Sequence, residues 1–172
     1  MEGNPNLDAA IVHRFNLNYN KYDYKTRSGF GLYSSYTYNQ DQVVPVVTTD
    51  DDLVRTTTYT SLSGGQQAYL SFYLNKSLKK TKNENDREDF SFGTDLNMSY
   101  RRNLGFSNEQ LFTSNIYSIS PSLSVTYEIE DLLEITPEFG LSYNLTNYSL
   151  LQNLDEEFVN YDLGLNTTTY WP

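Results

Sequence analysis

Hydrophobic and polar residues alternate with period two over long stretches of the chain. The clearest stretch runs from Ser118 to Ile129, where one side carries Ser, Thr and Glu and the other carries Ile, Pro, Leu, Val and Tyr. Such alternation is typical of a β-strand whose two faces meet different surroundings. We therefore expect a sheet with one apolar and one polar face.

Six further stretches alternate in the same way. They are centred on the segments that begin near Ile11, Gly29, Gln67, Phe90, Ile135 and Tyr161. Each long strand reaches the roughly 9 to 11 residues that a tilted membrane strand requires, which exceeds the ~5 to 6 residues usual in soluble sheets. The predicted fold class is all-β: an antiparallel meander of about seven to eight long strands that forms part of a transmembrane β-barrel wall.

The two faces of this wall can be assigned from the alternation. We expect the apolar positions to face lipid and the polar positions to face the lumen. The predicted lipid-facing residues are Leu123, Val125, Phe139, Leu141 and Leu163. The predicted lumen-facing residues are Ser122, Ser124, Glu138, Ser142 and Asp162.

The connections between strands sort onto two rims. Residues 40–65 are predicted as a loop hairpin, because the returning arm Val54 to Leu62 is rich in threonine and has no apolar stripe. Connections at 101–115 and 150–158 fall on the same rim, which we take as extracellular because outer-membrane barrels place their longer loops outside. The acidic residues expected in these extracellular loops are Asp50, Asp51, Asp52, Asp155, Glu156 and Glu157. Connections at 24–27, 79–89 and 130–132 fall on the opposite, periplasmic rim.

Composition refines this picture. The chain has 172 residues with 16 Tyr and 9 Phe, so its apolar character lies in aromatics, which favour strands. The mean hydropathy of −0.60 is low for a membrane protein, but a polar lumen face dilutes the hydropathy of a barrel. The net charge of −10 argues against a nucleic-acid partner. Because the sequence opens without a secretion signal, we expect a piece of a longer chain.

No catalytic constellation is predicted. The single histidine, His13, has no cysteine in the chain to work with and no carboxylate near it in sequence, so triads and most zinc sites are disfavoured. Glu138 with Asp162 or Asp95 could act as an acid-base pair, but the favoured interpretation is that these carboxylates line the lumen. Calcium binding by Asp50, Asp51 and Asp52 is weighed against a solvated loop tip, since the EF-hand spacing is absent. We expect no enzymatic activity, no metal and no cofactor.

Four segments carry a resemblance to a known family: NPNL from Asn4, VVPVVTTDDDLVRTTTY from Val43, SISPSLSVTYEIEDLLE from Ser118, and the closing TTTYWP. Together they resemble the outer-membrane β-barrel family related to TonB-dependent receptors. The resemblance implies a late-barrel segment in the outer membrane of a Gram-negative type of cell. The plug domain, the TonB-contacting segment, the early strands and the final aromatic-ending strand of such receptors are missing from the sequence.

The resemblance also implies a function and partners. Residues 1–172 would form one barrel segment in the wall of a nutrient importer, with outer-membrane lipid, the rest of the barrel, a plug domain and TonB as partners. Seven strands are an odd number, which favours a fragment of a larger barrel. Two alternatives are a non-transporting structural or adhesion barrel, and a complete eight-stranded barrel if the Val54 to Leu62 arm spans the membrane. A soluble sandwich or small lipid-binding barrel is a third.

Overall fold

The computed structural model describes residues 7–49, 51–78, 88–107, 109–150 and 154–170. Nine β-strands account for most of these residues, and no α-helix lies among them. The strands are β1 (Ile11–Asp23), β2 (Ser28–Gln40), β3 (Gln42–Thr49), β4 (Arg55–Leu62), β5 (Gly65–Ser77), β6 (Glu88–Ser107), β7 (Gln110–Ile129), β8 (Leu133–Tyr148) and β9 (Glu156–Thr169). The predicted all-β class is confirmed.

Seven of the strands form one antiparallel sheet in the order β1-β2-β5-β6-β7-β8-β9. Each strand pairs with the next one along this order, as in a meander, and the register stays constant within every pair. We call this sheet the wall. Within the described residues, β1 pairs only with β2 and β9 pairs only with β8, so the wall has two unpaired edges.

The remaining strands, β3 and β4, form a separate two-stranded hairpin between β2 and β5. Its register continues that of the wall, since Asn39 pairs with Gly65 below the break and Gln42 pairs with Leu62 above it. In between, Asp41 and Gly64 take the left-handed backbone region with φ of 55° and 113°. Ser63 Oγ accepts from the Asp41 amide at 2.9 Å and donates to its carboxylate at 2.8 Å.

The hairpin lies within the predicted 40–65 segment, and β3 pairs with β4 outside the wall. It also corrects the eight-strand alternative, because in the described part of the chain β4 pairs with β3 alone and supplies no wall strand. Threonine on both faces of β4 gives no apolar stripe that could face hydrocarbon, which is the physical reason.

Two predicted loops are strands instead. Residues 101–115 continue the β6–β7 ladder up to the pair Ser107 and Gln110. Glu156 and Glu157, predicted in a loop, are the first two positions of β9 and pair with Thr146 and Leu145. Backbone hydrogen bonds need no apolar face, so these hairpins extend past the point where the alternation stops.

The wall is a single layer with no core of its own. Leu163 is 85% exposed, Tyr161 69% and Phe15 67%, and Val44 in the hairpin is the one buried apolar side chain among the described residues. A soluble sheet covers its apolar face with a second layer. In the described residues the hairpin contacts the wall chiefly at β6, so most of the apolar face has no protein cover.

Candidate functional site: the polar face of the wall

The register collects the predicted face residues into two sets. Ser122, Gly140 and Asp162 lie directly opposite one another on β7, β8 and β9, and Ser124 lies opposite Glu138. Ser142 joins the same face, since its Oγ lies 3.0 Å from Ser120 Oγ. All five residues predicted to face the lumen therefore share one side of the sheet.

The predicted lipid-facing residues share the other side. Leu123, Phe139 and Leu163 form one row across β7, β8 and β9. Val125 and Leu141 lie two positions along their strands from this row, so they point the same way. Their contact with lipid, and the contact of the opposite face with a lumen, stay predictions.

Three of the carboxylates on the polar face of the β6–β9 half lie close together near its middle. Asp95 and Asp162 belong to the row of Ser122, and Glu138 lies one pleat away. They line an open recess of 420 Å³ together with serines and glycines. This arrangement gives the β6–β9 half of the face a negative, hydroxyl-rich surface.

Glycines lie directly opposite two of these acids. Gly140 lies opposite Asp162, where an added Cβ would lie 3.5 Å from the Asp162 Cβ. Gly164 lies opposite Glu138, whose Oε1 accepts a hydrogen bond from Asn166 Nδ2 at 3.3 Å. The two acids are diagonal neighbours across the β8–β9 ladder, a spacing of roughly 7–8 Å between Cα atoms. They lie in the same patch, but Glu138 is held by an amide rather than by the second acid.

The β1–β5 half of the polar face has different chemistry. Here the side chains are mainly Asn, Tyr, Ser and Thr, and tyrosine rings lie across the strands. Tyr33 and Tyr69 have ring centroids 5.8 Å apart, and the Tyr69 hydroxyl donates to Asn97 Oδ1 at 2.9 Å. The Tyr73 ring covers Gly31, its cross-strand partner, and occupies the place of a Cβ there. This half is aromatic and has no carboxylate on the described positions of its polar face, whereas the other half is acidic.

An ion pair lies at the rim that carries the β1–β2 turn. Arg27 Nη1 lies 3.4 Å from Asp89 Oδ2, and the Ser77 hydroxyl donates to Asp89 Oδ1 at 2.9 Å. The Asp89 side chain is 11% exposed and that of Arg27 64%. These contacts tie the turn before β2 to β5 and β6. The predicted connection 79–89 lies largely outside the described residues.

The acidic loop residues are placed on the opposite rim. Asp51 and Asp52 form the exposed turn between β3 and β4, while Asp50 lies outside the described residues. Asp155 precedes β9, and its Oδ1 accepts a hydrogen bond from the Tyr148 amide at 2.8 Å. Asp155 therefore closes the β8–β9 connection instead of standing free in solvent.

The described ranges contain neither a metal-binding cluster nor a membrane-spanning helix. No group of three or more His, Cys, Asp or Glu there could hold a metal ion. His13 lies beside the Tyr38 ring, with centroids 6.3 Å apart. No helix in those ranges is long and apolar enough to cross a membrane.

Sequence reasoning missed two features of the faces. It placed Arg102 in a loop, whereas Arg102 lies in β6 on the apolar side, opposite Gln66 and Asn115. It also gave no role to Gly31, although a glycine opposite a tyrosine in a strand pattern signals a ring lying over the backbone. Both misses concern cross-strand neighbours, which depend on register.

Comparison with known proteins gives one match. The chain matches the sequence model of an outer membrane protein beta-barrel family over residues 1–170. No curated protein and no solved structure matches it.

Proposed function

Because this chain belongs to the outer membrane protein β-barrel family, we propose that its wall is part of a TonB-dependent-receptor-like importer for a nutrient too large to diffuse. The single observation that carries the proposal is a one-layer sheet with one apolar and one polar face. Hydrocarbon would cover the apolar face, and a water-filled lumen would hydrate the polar one. The importer class itself rests on the resemblance of the four segments named above.

The unpaired edges bear on how the barrel closes. In an antiparallel sheet of seven strands, β1 and β9 run in the same direction. Direct pairing of these two edges would therefore be parallel, whereas bacterial single-chain barrels use an even number of antiparallel strands. We propose that an odd number of further strands, each antiparallel to its neighbour, pairs with both edges. A plug domain and TonB would be the partners of the completed protein.

A second candidate function is a non-transporting adhesion barrel. The observation that favours it is the β3–β4 hairpin, which projects past the wall and exposes apolar side chains. Leu53 at its turn is 84% exposed, and Val43 on β3 is 42% exposed. Such an arm offers a contact surface that import does not need.

Cysteine labelling in cells separates the two functions. The chain contains no cysteine, so Ser122→Cys and Leu123→Cys in the full protein each give one thiol from this chain on opposite faces. With a small membrane-impermeant thiol reagent, we expect Ser122→Cys to react at least tenfold faster than Leu123→Cys, because thiolates form in water. An importer also predicts that Ser122→Cys labelling falls when TonB is deleted. If the labelling rate of Ser122→Cys is the same with and without TonB, the adhesion barrel is supported. Equal labelling rates for Ser122→Cys and Leu123→Cys would contradict a lumen on the polar face.

A further inference from the structure

The apolar face carries a groove close to the rim where the hairpin leaves the wall. The groove has a volume of 520 Å³, and its lining includes Leu70, Met98, Tyr100, Tyr117, Ile119 and Leu145. Small side chains make the depression: Ala68 lies opposite Tyr100, and Ser34 lies opposite Leu70. The groove is therefore formed by small residues beside large ones in two neighbouring rows.

A polar row lies directly above this groove. Arg102 follows Tyr100 by two positions on β6 and so shares its face. Gln66 and Asn115 flank Arg102 as its direct cross-strand partners. The Tyr100 hydroxyl donates to Asn115 Oδ1 at 3.1 Å, so the Asn115 side chain presents its N–H groups as its remaining hydrogen-bonding groups.

The Arg102 side chain has a hydrogen-bond donor without an acceptor among the described residues. Its Nε is buried and makes no hydrogen bond within the described part of the chain. Buried donors are almost always paired, so the Arg102 guanidinium lacks an acceptor at Nε within the described part of the protein. The residue as a whole is half-buried, so the rest of its side chain can meet an acceptor from outside. The chain as a whole carries a net charge of −10, so a cation at the top of an apolar groove is not a result of general basicity.

We propose that this groove and Arg102 together bind one anionic, phosphate-bearing lipid of the surrounding bilayer. The acyl chain would lie along the groove against Leu70, Met98 and Ile119, beside the paired Tyr100 and Tyr117 rings. The phosphate would accept hydrogen bonds from the Arg102 guanidinium, with the Gln66 and Asn115 amides beside it. Guanidinium binds phosphate in a bidentate manner, and an acyl chain matches an apolar groove as free phosphate does not. The inference rests on the proposed function, since it requires the apolar face to lie in the bilayer.

Native mass spectrometry of the full protein in mild detergent tests the site. The probes are phosphatidylglycerol and phosphatidylcholine with identical acyl chains. We expect Arg102→Gln to weaken phosphatidylglycerol binding about tenfold, as loss of a charge-assisted hydrogen bond would. The matched control is Arg101→Gln, the neighbouring exposed residue on the polar face, which should bind as the unmodified protein does. A groove-filling variant, Ala68→Phe, should weaken binding of both lipids while Arg102 is still present.

Two outcomes would overturn the site. One is unchanged phosphatidylglycerol binding in Arg102→Gln, and the other is an equal loss in Arg101→Gln. Circular dichroism and heat-modified gel mobility establish that each variant is folded. Failure of the proposed function is recognised separately: a tryptophan placed at Leu123 in a Trp171→Phe background should be quenched by brominated lipid. Quenching with unchanged Arg102→Gln binding rejects the lipid site alone, whereas absent quenching rejects the membrane placement.

Discussion

The wall and the β3–β4 hairpin share one antiparallel register but not one structure. In the wall, β2 and β5 pair without interruption from Gly29 and Asn75 to Asn39 and Gly65. The ladder then stops and restarts with Gln42 in the hairpin. An unpaired backbone group costs several kcal/mol in hydrocarbon but little in water. In the membrane placement proposed above, the break marks the level at which hydrocarbon ends.

The side chains change at the same level. Below the break, apolar and polar residues alternate on every wall strand. Above it, one apolar residue of the hairpin, Val44, is buried, and β3 contacts β6. A wall strand is fixed by pairing on two sides, except at the edges, whereas the hairpin is held by one hinge and a small apolar contact. The hairpin has the same register as β2 and β5 but does not belong to the seven-stranded sheet. Register alone therefore does not determine which strands form the wall; the surroundings of each strand face also matter.

The largest expected effect is an all-or-none difference between the two rims. With Asp51→Cys in the hairpin turn and Lys25→Cys in the β1–β2 turn, a membrane-impermeant thiol reagent on whole cells should label only Asp51→Cys. The two rims lie at opposite ends of the wall strands, so one bilayer separates them. Labelling of both variants after the cells are broken open is the control. Labelling of Lys25→Cys alone on whole cells would invert the topology.

The second prediction tests the two faces within the wall. Leu141→Arg should destabilise the protein by roughly 2 to 4 kcal/mol, because it places a charge near the bilayer midplane. Ser142→Arg, the next residue on the same strand, should be tolerated, since its side chain would point into water. Urea unfolding of the full protein in phospholipid vesicles measures both. Equal destabilisation at the two positions would remove the distinction between the faces.

The third prediction concerns the hinge. Gly64 has a φ of 113°, where a side chain costs of order 1 to 3 kcal/mol. Gly64→Ala should therefore loosen the hairpin, seen as faster hydrogen exchange at the β3 and β4 amides, and leave the wall amides unchanged. Gly164→Ala is the matched control, because a Cβ there meets Glu138 Cβ at an ordinary 3.6 Å. If wall amides also exchange faster in Gly64→Ala, the hairpin and the wall are one cooperative unit.

The wall strands could be predicted from the sequence because apolar and polar residues alternate along each of them. The Ser118 to Ile129 stretch pairs along its length with β6 in one constant register, and a one-residue slip would put every apolar side chain on the polar side. That constraint is strong and local in the sequence, which is why the faces could be assigned residue by residue.

The regions past the wall could not be predicted in this way. Around Arg101 and Arg102 the alternation stops, so the upper β6–β7 hairpin resembled a loop, yet its pairing depends only on backbone hydrogen bonds. Asp41 and Gly64 carry residue types that tolerate positive φ, but their meeting across a ladder appears only with the register. The groove below Arg102 likewise depends on which small residue faces which tyrosine, a property of four strands at once.

The smallest expected effect lies at the rim opposite the hairpin, where the wall ends in a short turn rather than a hinge. Replacing Arg27 by Gln or Asp89 by Asn breaks an ion pair whose cation is mostly exposed, so a double-mutant cycle should give a coupling of about 0.2 to 1 kcal/mol. The coupling should shrink between 0.15 and 1 M salt, because the screening length falls from about 8 Å to 3 Å. Ser77→Ala serves as the control: it removes the hydrogen bond to Asp89 but no charge, so its effect should not depend on salt. A coupling above ~2 kcal/mol would contradict this prediction. It would mean that the ion pair holds β2, β5 and β6 rigidly together at this rim, unlike the hinge at the opposite rim.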